Sequence, residues 1–144
     1  MKHTPIQWGL FDIYARRIAG ELSEKKPFDV LVPILRGGLP LATVLSYHLG
    51  IKDIEPIYWQ TRDNCRSDLR LYNIVASFSN PLFVDDLIDS GKTLNDIADH
   101  IAGTVENLTA AVLIKRPSIE VKTFQLVYAT SFDFEWIDFP WDPT

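Results

Sequence analysis

A chain of 144 residues with 47% hydrophobic and 23% charged side chains has the composition of one ordinary globular domain with a sizeable core. Its formal net charge of -5 argues against a general nucleic-acid or membrane-surface binder, because such proteins normally present a basic face. No apolar run approaches the ~20 residues of a transmembrane segment, and the N-terminus lacks a secretory pattern, so we expect a single domain over residues 1–144 in the cytoplasm.

The first half of the chain predicts a helix followed by a strand-loop-helix unit. Apolar residues recur at steps of three and four from about Gln7 to Leu22, which predicts an amphipathic helix with Pro5 at its first helical position. The apolar run Val30–Ile34 predicts a strand. Leu39–Leu49 then suits a helix that Gly50 ends.

The remaining strands are predicted from short apolar runs. These runs are Ile54–Trp59, Ile74–Phe78, Leu82–Val84, Thr109–Ile114 and Leu126–Ala129. Gln60–Asn73 is polar and is predicted to be a functional or mobile loop, and Phe132–Trp141 forms an aromatic tail. Because strands and helices alternate, we expect an α/β fold with a mainly parallel twisted sheet flanked by helices.

The most informative stretch follows the strand at Leu82–Val84. Asp85 and Asp86 come directly after it, and Asp89 precedes a small polar turn, Ser90–Thr93, that opens a helix. Backbone N–H groups at a helix start bind anions, and neighbouring carboxylates bind sugar hydroxyls or a hard cation. The stretch therefore indicates a site for a phosphorylated sugar with a metal. A nucleotide-binding P-loop is excluded, because Asp86 stands where that motif needs a glycine.

Three further features each allow two interpretations when only the residues are considered. Arg36-Gly37-Gly38 after a strand is either a tight turn or a second anion site that uses the guanidinium. Lys115 at a strand end is either a surface lysine or a donor into the cleft. Trp136 in the tail is either a core residue or a face on which a base stacks.

Taken together, these segments resemble the type I phosphoribosyltransferases, and within them the 6-oxopurine enzymes of the xanthine-guanine type. Phe83–Thr93 resembles the family's signature for 5-phosphoribosyl-1-pyrophosphate, and Leu35–Gly38 is similar to its pyrophosphate loop. Asp63-Asn64-Cys65-Arg66 resembles its mobile loop, and Trp136–Asp142 its purine-binding tail. The resemblance extends from about Trp8 to Asp142, and it implies the family's fold, with a mobile hood loop and a C-terminal purine-binding tail.

The resemblance implies transfer of phosphoribose to N9 of guanine, xanthine or hypoxanthine, which gives the nucleotide and pyrophosphate. Asp89 would take part in proton transfer with the purine, and the loop around Arg66 would close to exclude water. The implied sugar site comprises Asp85 and Asp86 for the ribose hydroxyls, Asp86 also for Mg²⁺, Ser90, Gly91, Lys92 and Thr93 for the 5-phosphate, and Arg36, Gly37 and Arg66 for the pyrophosphate. Asp89 belongs to this site as well. The implied purine site comprises Asp89, Lys115, Trp136 and Ile137.

The resemblance further implies a cis peptide bond before Arg36 and a homo-oligomer, dimer or tetramer. Two alternatives stay open at this point. One is a non-catalytic regulator that binds the same sugar phosphate as a signal, and the other is a phosphoribosyltransferase for another base, such as orotate or a pyrimidine.

Overall fold

The computed structural model describes residues 1–60 and 65–143. Within them lie four helices, α1 (Trp8–Leu22), α2 (Leu39–Leu49), α3 (Asp68–Ser77) and α4 (Lys92–Ile101). The strands in the same residues are β1 (His3–Pro5), β2 (Val30–Leu35), β3 (Ile57–Gln60), β4 (Cys65–Arg66), β5 (Pro81–Val84), β6 (Leu87–Ile88), β7 (Leu108–Lys115), β8 (Phe124–Ser131) and β9 (Trp136–Asp138). No helix of this part of the chain is long and apolar enough to cross a membrane.

A seven-stranded sheet forms the centre of the molecule. Its strands run in the order β4, β3, β2, β5, β7, β6, and β8 also pairs with β7. Every pair is parallel except β3 with β4. β1 and β9 form a separate two-stranded parallel sheet. The prediction of an α/β fold with a mainly parallel sheet is confirmed.

Helices cover both faces of the sheet, which explains why β2 and β5 are apolar at every position. Leu82 and Val84 of β5 pack into the cluster that contains the buried faces of α1 and α2. Phe83, between them in sequence, packs into the cluster that contains α3 and α4. Because side chains alternate along a strand, β5 is buried on both sides, as its composition predicts.

The predicted start of the first helix is wrong by three residues. Pro5 is the last residue of β1, and α1 begins at Trp8 after Gln7. The pairing of β1 with β9 places the first residues of the chain beside the tail, with Thr4 opposite Ile137. A three-residue strand whose partner lies at the other end of the chain leaves no local pattern from which to predict it.

The segment from 65 to 78 also differs from its prediction as a loop followed by a strand. Cys65–Arg66 pairs with β3, and Asp68–Ser77 is helical. Leu71, Ile74 and Val75 form the buried side of α3, at the spacing of an amphipathic helix. The charged residues on its outer side hide this spacing in the sequence. Ile54, predicted to begin a strand, makes a single bridge with Leu31, and β3 begins at Ile57.

Candidate functional site

The acid pair is built into the sheet. β5 and β6 both run beside β7, and Asp85 and Asp86 lie between them. The Asp85 N–H donates to the carbonyl of Ala111 at 3.0 Å, and the Leu113 N–H donates to the carbonyl of Asp86 at 2.9 Å. The neighbouring strand therefore fixes both backbones. The sequence predicted a strand end here and missed β6, which is only two residues long.

Burial raises the pKa of both carboxyl groups, although each side chain keeps some exposure at the mouth of a cavity. The pKa of Asp85 is raised well above its usual value, first by burial and then by the charge of Asp86. For Asp86, burial outweighs the opposing hydrogen bonds from Asp85 and from the Leu87 N–H, so its pKa also rises. Ligands that donate hydrogen bonds or carry positive charge would stabilise the ionised pair.

The loop after β2 packs directly against this pair. The peptide bond between Leu35 and Arg36 is cis, as predicted. A Cβ atom at Gly37 would lie 2.2 Å from Oδ2 of Asp86, and one at Gly38 would lie 2.1 Å from the carbonyl oxygen of Val84. Space requires both glycines, and at Gly38 the backbone is right-handed with φ -78°. Arg36 is exposed beside them.

The turn after Asp89 leads into the N-terminus of α4. Gly91 has φ 80°, a left-handed conformation that glycine adopts without strain, and α4 begins at Lys92. The Ser90 hydroxyl accepts a hydrogen bond from the Lys92 N–H at 3.3 Å. A cavity of about 230 Å³ is lined by the residues from Asp85 to Leu94. The acid pair and the first N–H groups of α4 therefore face one space, as predicted.

A second cavity, of about 330 Å³, separates the acid pair from the tail. Its lining is acidic and aromatic and consists of Asp86, Leu87, Asp89, Phe134, Glu135, Trp136, Ile137, Phe139 and Asp142. Trp136 is 51% exposed, whereas Ile137 is buried. Asp86, Leu87 and Asp89 line both cavities, so the two spaces share a wall.

The tail is held in place by aromatic packing and by β1. Trp141 stacks on Phe139 at a centroid distance of 4.8 Å and meets the edge of Phe11 in α1 at 5.5 Å. The imidazole of His3 lies 3.0 Å from the carboxylate of Asp138. These tail aromatics are core residues. Trp136 differs from them, because it is exposed beside the cavity, and the choice left open for it is decided against a core role.

Four predicted site residues do not line either cavity, namely Arg36, Gly37, Arg66 and Lys115. The Lys115 ammonium donates to the carbonyls of Arg116 and Pro117 at 3.0 and 3.3 Å. Arg66 lies 3.5 Å from the carboxylates of Asp68 and Asp96, with its guanidinium over Trp59. Asp63 and Asn64, predicted to share the mobile loop with Arg66, lie outside the described residues.

Arg116 was not predicted, although it follows Lys115 directly. Its Nε donates to Oδ1 of Asp89 at 2.5 Å, and its guanidinium lies 3.9 Å from the ring centroid of Phe134. A charged residue directly after a predicted strand, such as Arg116, is a candidate for the cleft at the carboxyl end of the sheet. Its partner could not be predicted, because Asp89 lies 27 residues away in the sequence and the sheet brings the two together.

The described residues contain no group of three or more His, Cys, Asp or Glu side chains that would hold a metal by themselves. Magnesium in enzymes is commonly held by one or two carboxylates together with substrate oxygens and water. Asp85 and Asp86 meet that requirement, because they are adjacent and both line the cavity of about 230 Å³. Since burial raises the pKa of both, a nearby positive charge would stabilise their ionised forms.

Comparison with known proteins gives one family. The family model for the phosphoribosyl transferase domain matches residues 7–144. A xanthine-guanine phosphoribosyltransferase from Nitratidesulfovibrio vulgaris is 27% identical over 144 residues, which is 98% of this chain and 85% of that protein.

Solved structures give the same fold. A purine phosphoribosyltransferase from Pyrococcus horikoshii superposes with a TM-score of 0.74 at 24% identity, covering 100% of this chain and 96% of that one. A xanthine-guanine-hypoxanthine phosphoribosyltransferase from Helicobacter pylori superposes with a TM-score of 0.76 at 21% identity, covering 97% and 92%.

Proposed function

Because this chain belongs to the family defined by the phosphoribosyl transferase domain, we propose that it is a purine-salvage enzyme acting on 5-phosphoribosyl-1-pyrophosphate. It transfers the phosphoribosyl group to N9 of a 6-oxopurine, and it releases the purine nucleotide and pyrophosphate. The names of its relatives, among them xanthine-guanine phosphoribosyltransferases, support this choice of base. The observation that carries the proposal is the wall of Asp86, Leu87 and Asp89 shared by the two cavities, since sugar and base must lie in contact to react.

The smaller cavity is proposed to hold the sugar. Asp85 and Asp86 accept hydrogen bonds from the ribose hydroxyls, and the backbone from Ser90 to Thr93 binds the 5-phosphate at the helix N-terminus. The pyrophosphate lies against Arg36 and the backbone of Gly37, which packs so close to the Asp86 carboxylate that a side chain there would collide with it. Arg66, on β4 beside β3, joins this group when the hood loop closes.

Asp86 is the residue proposed to hold Mg²⁺. When bound, it neutralises charge on the leaving pyrophosphate. The raised pKa of the buried acid pair supports this assignment, because a divalent cation offsets the cost of ionising both groups.

The larger cavity is proposed to hold the purine. Trp136 stacks on the base, and the backbone of Ile137 meets its exocyclic group at position 2. Lys115 is the last residue of β7, the strand that pairs with β6. Its ammonium must turn away from the carbonyls of Arg116 and Pro117 to donate to the 6-oxo group. An ammonium has donors only, so this contact favours a 6-oxopurine over adenine.

The chemistry follows from these positions. The bond from the anomeric carbon to pyrophosphate weakens, positive charge builds on the sugar, and the carboxylates of the shared wall lie beside it. N9 of the purine attacks, and Asp89 accepts the proton that the base loses. Closure of the segment around Arg66 excludes water, which competes with the purine as nucleophile.

A turnover assay tests the proposal. The protein is incubated with 5-phosphoribosyl-1-pyrophosphate, Mg²⁺ and, separately, guanine, xanthine, hypoxanthine, adenine or orotate, and nucleotide and pyrophosphate are measured together. We expect both products with at least one 6-oxopurine. No product with any base would instead support a sensor of the sugar phosphate, and turnover of orotate alone would transfer the activity to another base.

A homo-oligomer, dimer or tetramer, and a place in the cytoplasm remain part of the proposal. Light scattering coupled to size-exclusion chromatography measures the first, and fractionation of source cells measures the second.

A further inference from the structure

We propose that Arg116 is a positioning residue that orients Asp89 toward the purine cavity. The inference rests on the proposed function, in which Asp89 accepts the purine proton, and it assigns a role to a residue outside both cavity linings. Three independent sets of contacts support it.

The backbone of Arg116 is fixed next to Asp89. Its N–H donates to the carbonyl of Ile88 at 3.1 Å, so this hydrogen bond joins the two segments of the chain one residue before Asp89. Its own carbonyl accepts from the Ile119 N–H at 3.3 Å. Arg116 therefore starts from a defined position, and little further ordering is needed to aim its side chain.

The side chain of Arg116 is fixed by Phe134. The guanidinium lies 3.9 Å from the centroid of that ring, close enough for a cation–π interaction, and Phe134 itself packs against the core. The Arg116 side chain is 23% exposed, whereas that of Asp89 is 64% exposed. Phe134 thus fixes the Arg116 side chain, and Arg116 in turn fixes the more exposed side chain of Asp89.

The hydrogen bond divides the carboxylate of Asp89 into two oxygens with different roles. Oδ1 accepts from Nε of Arg116 at 2.5 Å. Oδ2 has no hydrogen-bond partner among the residues that the structure describes, and Asp89 lines both cavities, so Oδ2 is the oxygen left for the substrate. A carboxylate held by one oxygen presents the other in a single direction, which is what proton transfer in a reaction between two bound substrates requires.

The charge of the cavity makes this cation distinctive. Four carboxylates line the purine cavity, at Asp86, Asp89, Glu135 and Asp142, and none of its described lining residues is Lys or Arg. Without Arg116, the exposed side chain of Asp89 would rotate away from these like charges into solvent. Arg116 opposes that rotation, because its side chain contacts both Asp89 and Phe134, and Phe134 also lines the cavity.

A double-mutant cycle with steady-state kinetics tests the inference. The proteins are wild type, Arg116→Gln, Asp89→Asn and the double variant, each assayed with the best 6-oxopurine. We expect Arg116→Gln to lower kcat about tenfold while the KM for the sugar phosphate changes less than twofold, because orientation and not sugar binding is lost. In the Asp89→Asn background the same change should alter kcat less than twofold, because Arg116 acts through Asp89.

Arg70→Gln is the matched control. Arg70 is also an ion-paired arginine, 2.6 Å from Glu55, but it lies on α3 outside both cavities. Its replacement should leave kcat unchanged. Thermal melts of all variants verify that they are folded.

An unchanged kcat in Arg116→Gln would overturn the inference, and so would a tenfold loss that persists in the Asp89→Asn background. Wild-type protein that turns over no purine would overturn the proposed function, and this inference with it. Wild-type turnover combined with an unaffected Arg116→Gln would overturn the inference alone.

Discussion

Acidic side chains adjoin the central strands at both ends of the sheet, and the two ends treat them in opposite ways. At the amino end, Asp29 precedes β2 and accepts hydrogen bonds from the Ser79 N–H at 2.8 Å, the Ser79 hydroxyl at 3.1 Å and the Asn80 N–H at 2.9 Å. Burial alone would raise the pKa of Asp29, but these donors outweigh it and the pKa is lowered. Hydrogen-bond donors of the protein itself thus stabilise the ionised form of this carboxylate.

At the carboxyl end, Asp85 and Asp86 receive fewer donors, and burial raises the pKa of both. Each has one oxygen that accepts a neighbouring backbone N–H, at 2.8 and 2.7 Å, and like charge adds to the cost at Asp85. A carboxylate that serves the fold is thus satisfied within the chain. One that is proposed to serve a ligand remains electrostatically unfavourable until that ligand binds.

Gly38→Ala should produce the largest effect of any single change at the carboxyl end. The new Cβ would lie 2.1 Å from the carbonyl oxygen of Val84, a backbone atom that cannot rotate away. We expect a loss of about 3 kcal/mol or more in the free energy of unfolding, measured by urea denaturation.

Gly20→Ala is the control, since a Cβ there meets nothing within 4 Å and the residue lies in α1. It should stabilise the protein by roughly 0.5–1 kcal/mol. Equal stability of the two variants would contradict the close approach of the loop to β5.

Asp85→Asn and Asp29→Asn should change stability with opposite signs. A raised folded pKa means that the stability contribution of Asp85 is complete below the unfolded pKa of about 3.9 and is lost as the pH rises through the folded value. Asparagine removes that loss and keeps an acceptor for the Asp86 N–H, so the variant should gain about 1–2 kcal/mol at pH 7.5 and little near pH 4.

For Asp29 the pKa is lowered, so its contribution is present above the unfolded pKa and is lost as the pH falls through the folded value. Asp29→Asn should therefore cost about 1 kcal/mol at pH 7.5, and less as the solution is acidified. Urea denaturation from pH 4 to pH 8 measures both variants. Changes of the same sign at neutral pH would remove the distinction between the two ends.

Lys115→Ala should affect purine choice and leave the fold intact. If Lys115 donates to the 6-oxo group, its loss should lower kcat/KM for the best 6-oxopurine about tenfold and leave any activity with adenine unchanged. Lys26→Ala, at the amino end of the sheet, is a control that should alter neither value. An unchanged ratio between 6-oxopurine and adenine would remove Lys115 from the purine site.

His3→Ala should produce the smallest effect, because its partner Asp138 belongs to neither class of carboxylate. The two side chains are about half exposed, and water screens their interaction. We expect a change of about 0.2–0.5 kcal/mol in the free energy of unfolding, measured by thermal melting. A loss above about 1 kcal/mol would mean that the pair anchors the tail far more strongly than its exposure allows.

The sequence predicted the smaller cavity, which is proposed to hold the sugar, better than the larger one, which is proposed to hold the purine. Residues from Leu82 to Thr93 are contiguous, and strand, acids and helix start all leave local patterns, so this segment was placed correctly apart from β6. The contact between Gly37 and Asp86 and the bond between Arg116 and Asp89 join segments that are distant in sequence. No periodicity reports such contacts. The helix α3 was missed because three buried residues among charged neighbours gave too weak a pattern.

The pairing of β1 with β9 also bears on the order in which the molecule folds. The Lys2 N–H donates to Glu135 across 133 residues of chain, whereas the cavity beside the acid pair is lined by residues from Asp85 to Leu94 alone. Closing a long loop costs entropy that must be spent before the contact is gained, so contacts between the chain ends form late. The wall that carries Trp136 is therefore expected to assemble after the cavity beside Asp85 and Asp86 already has its shape.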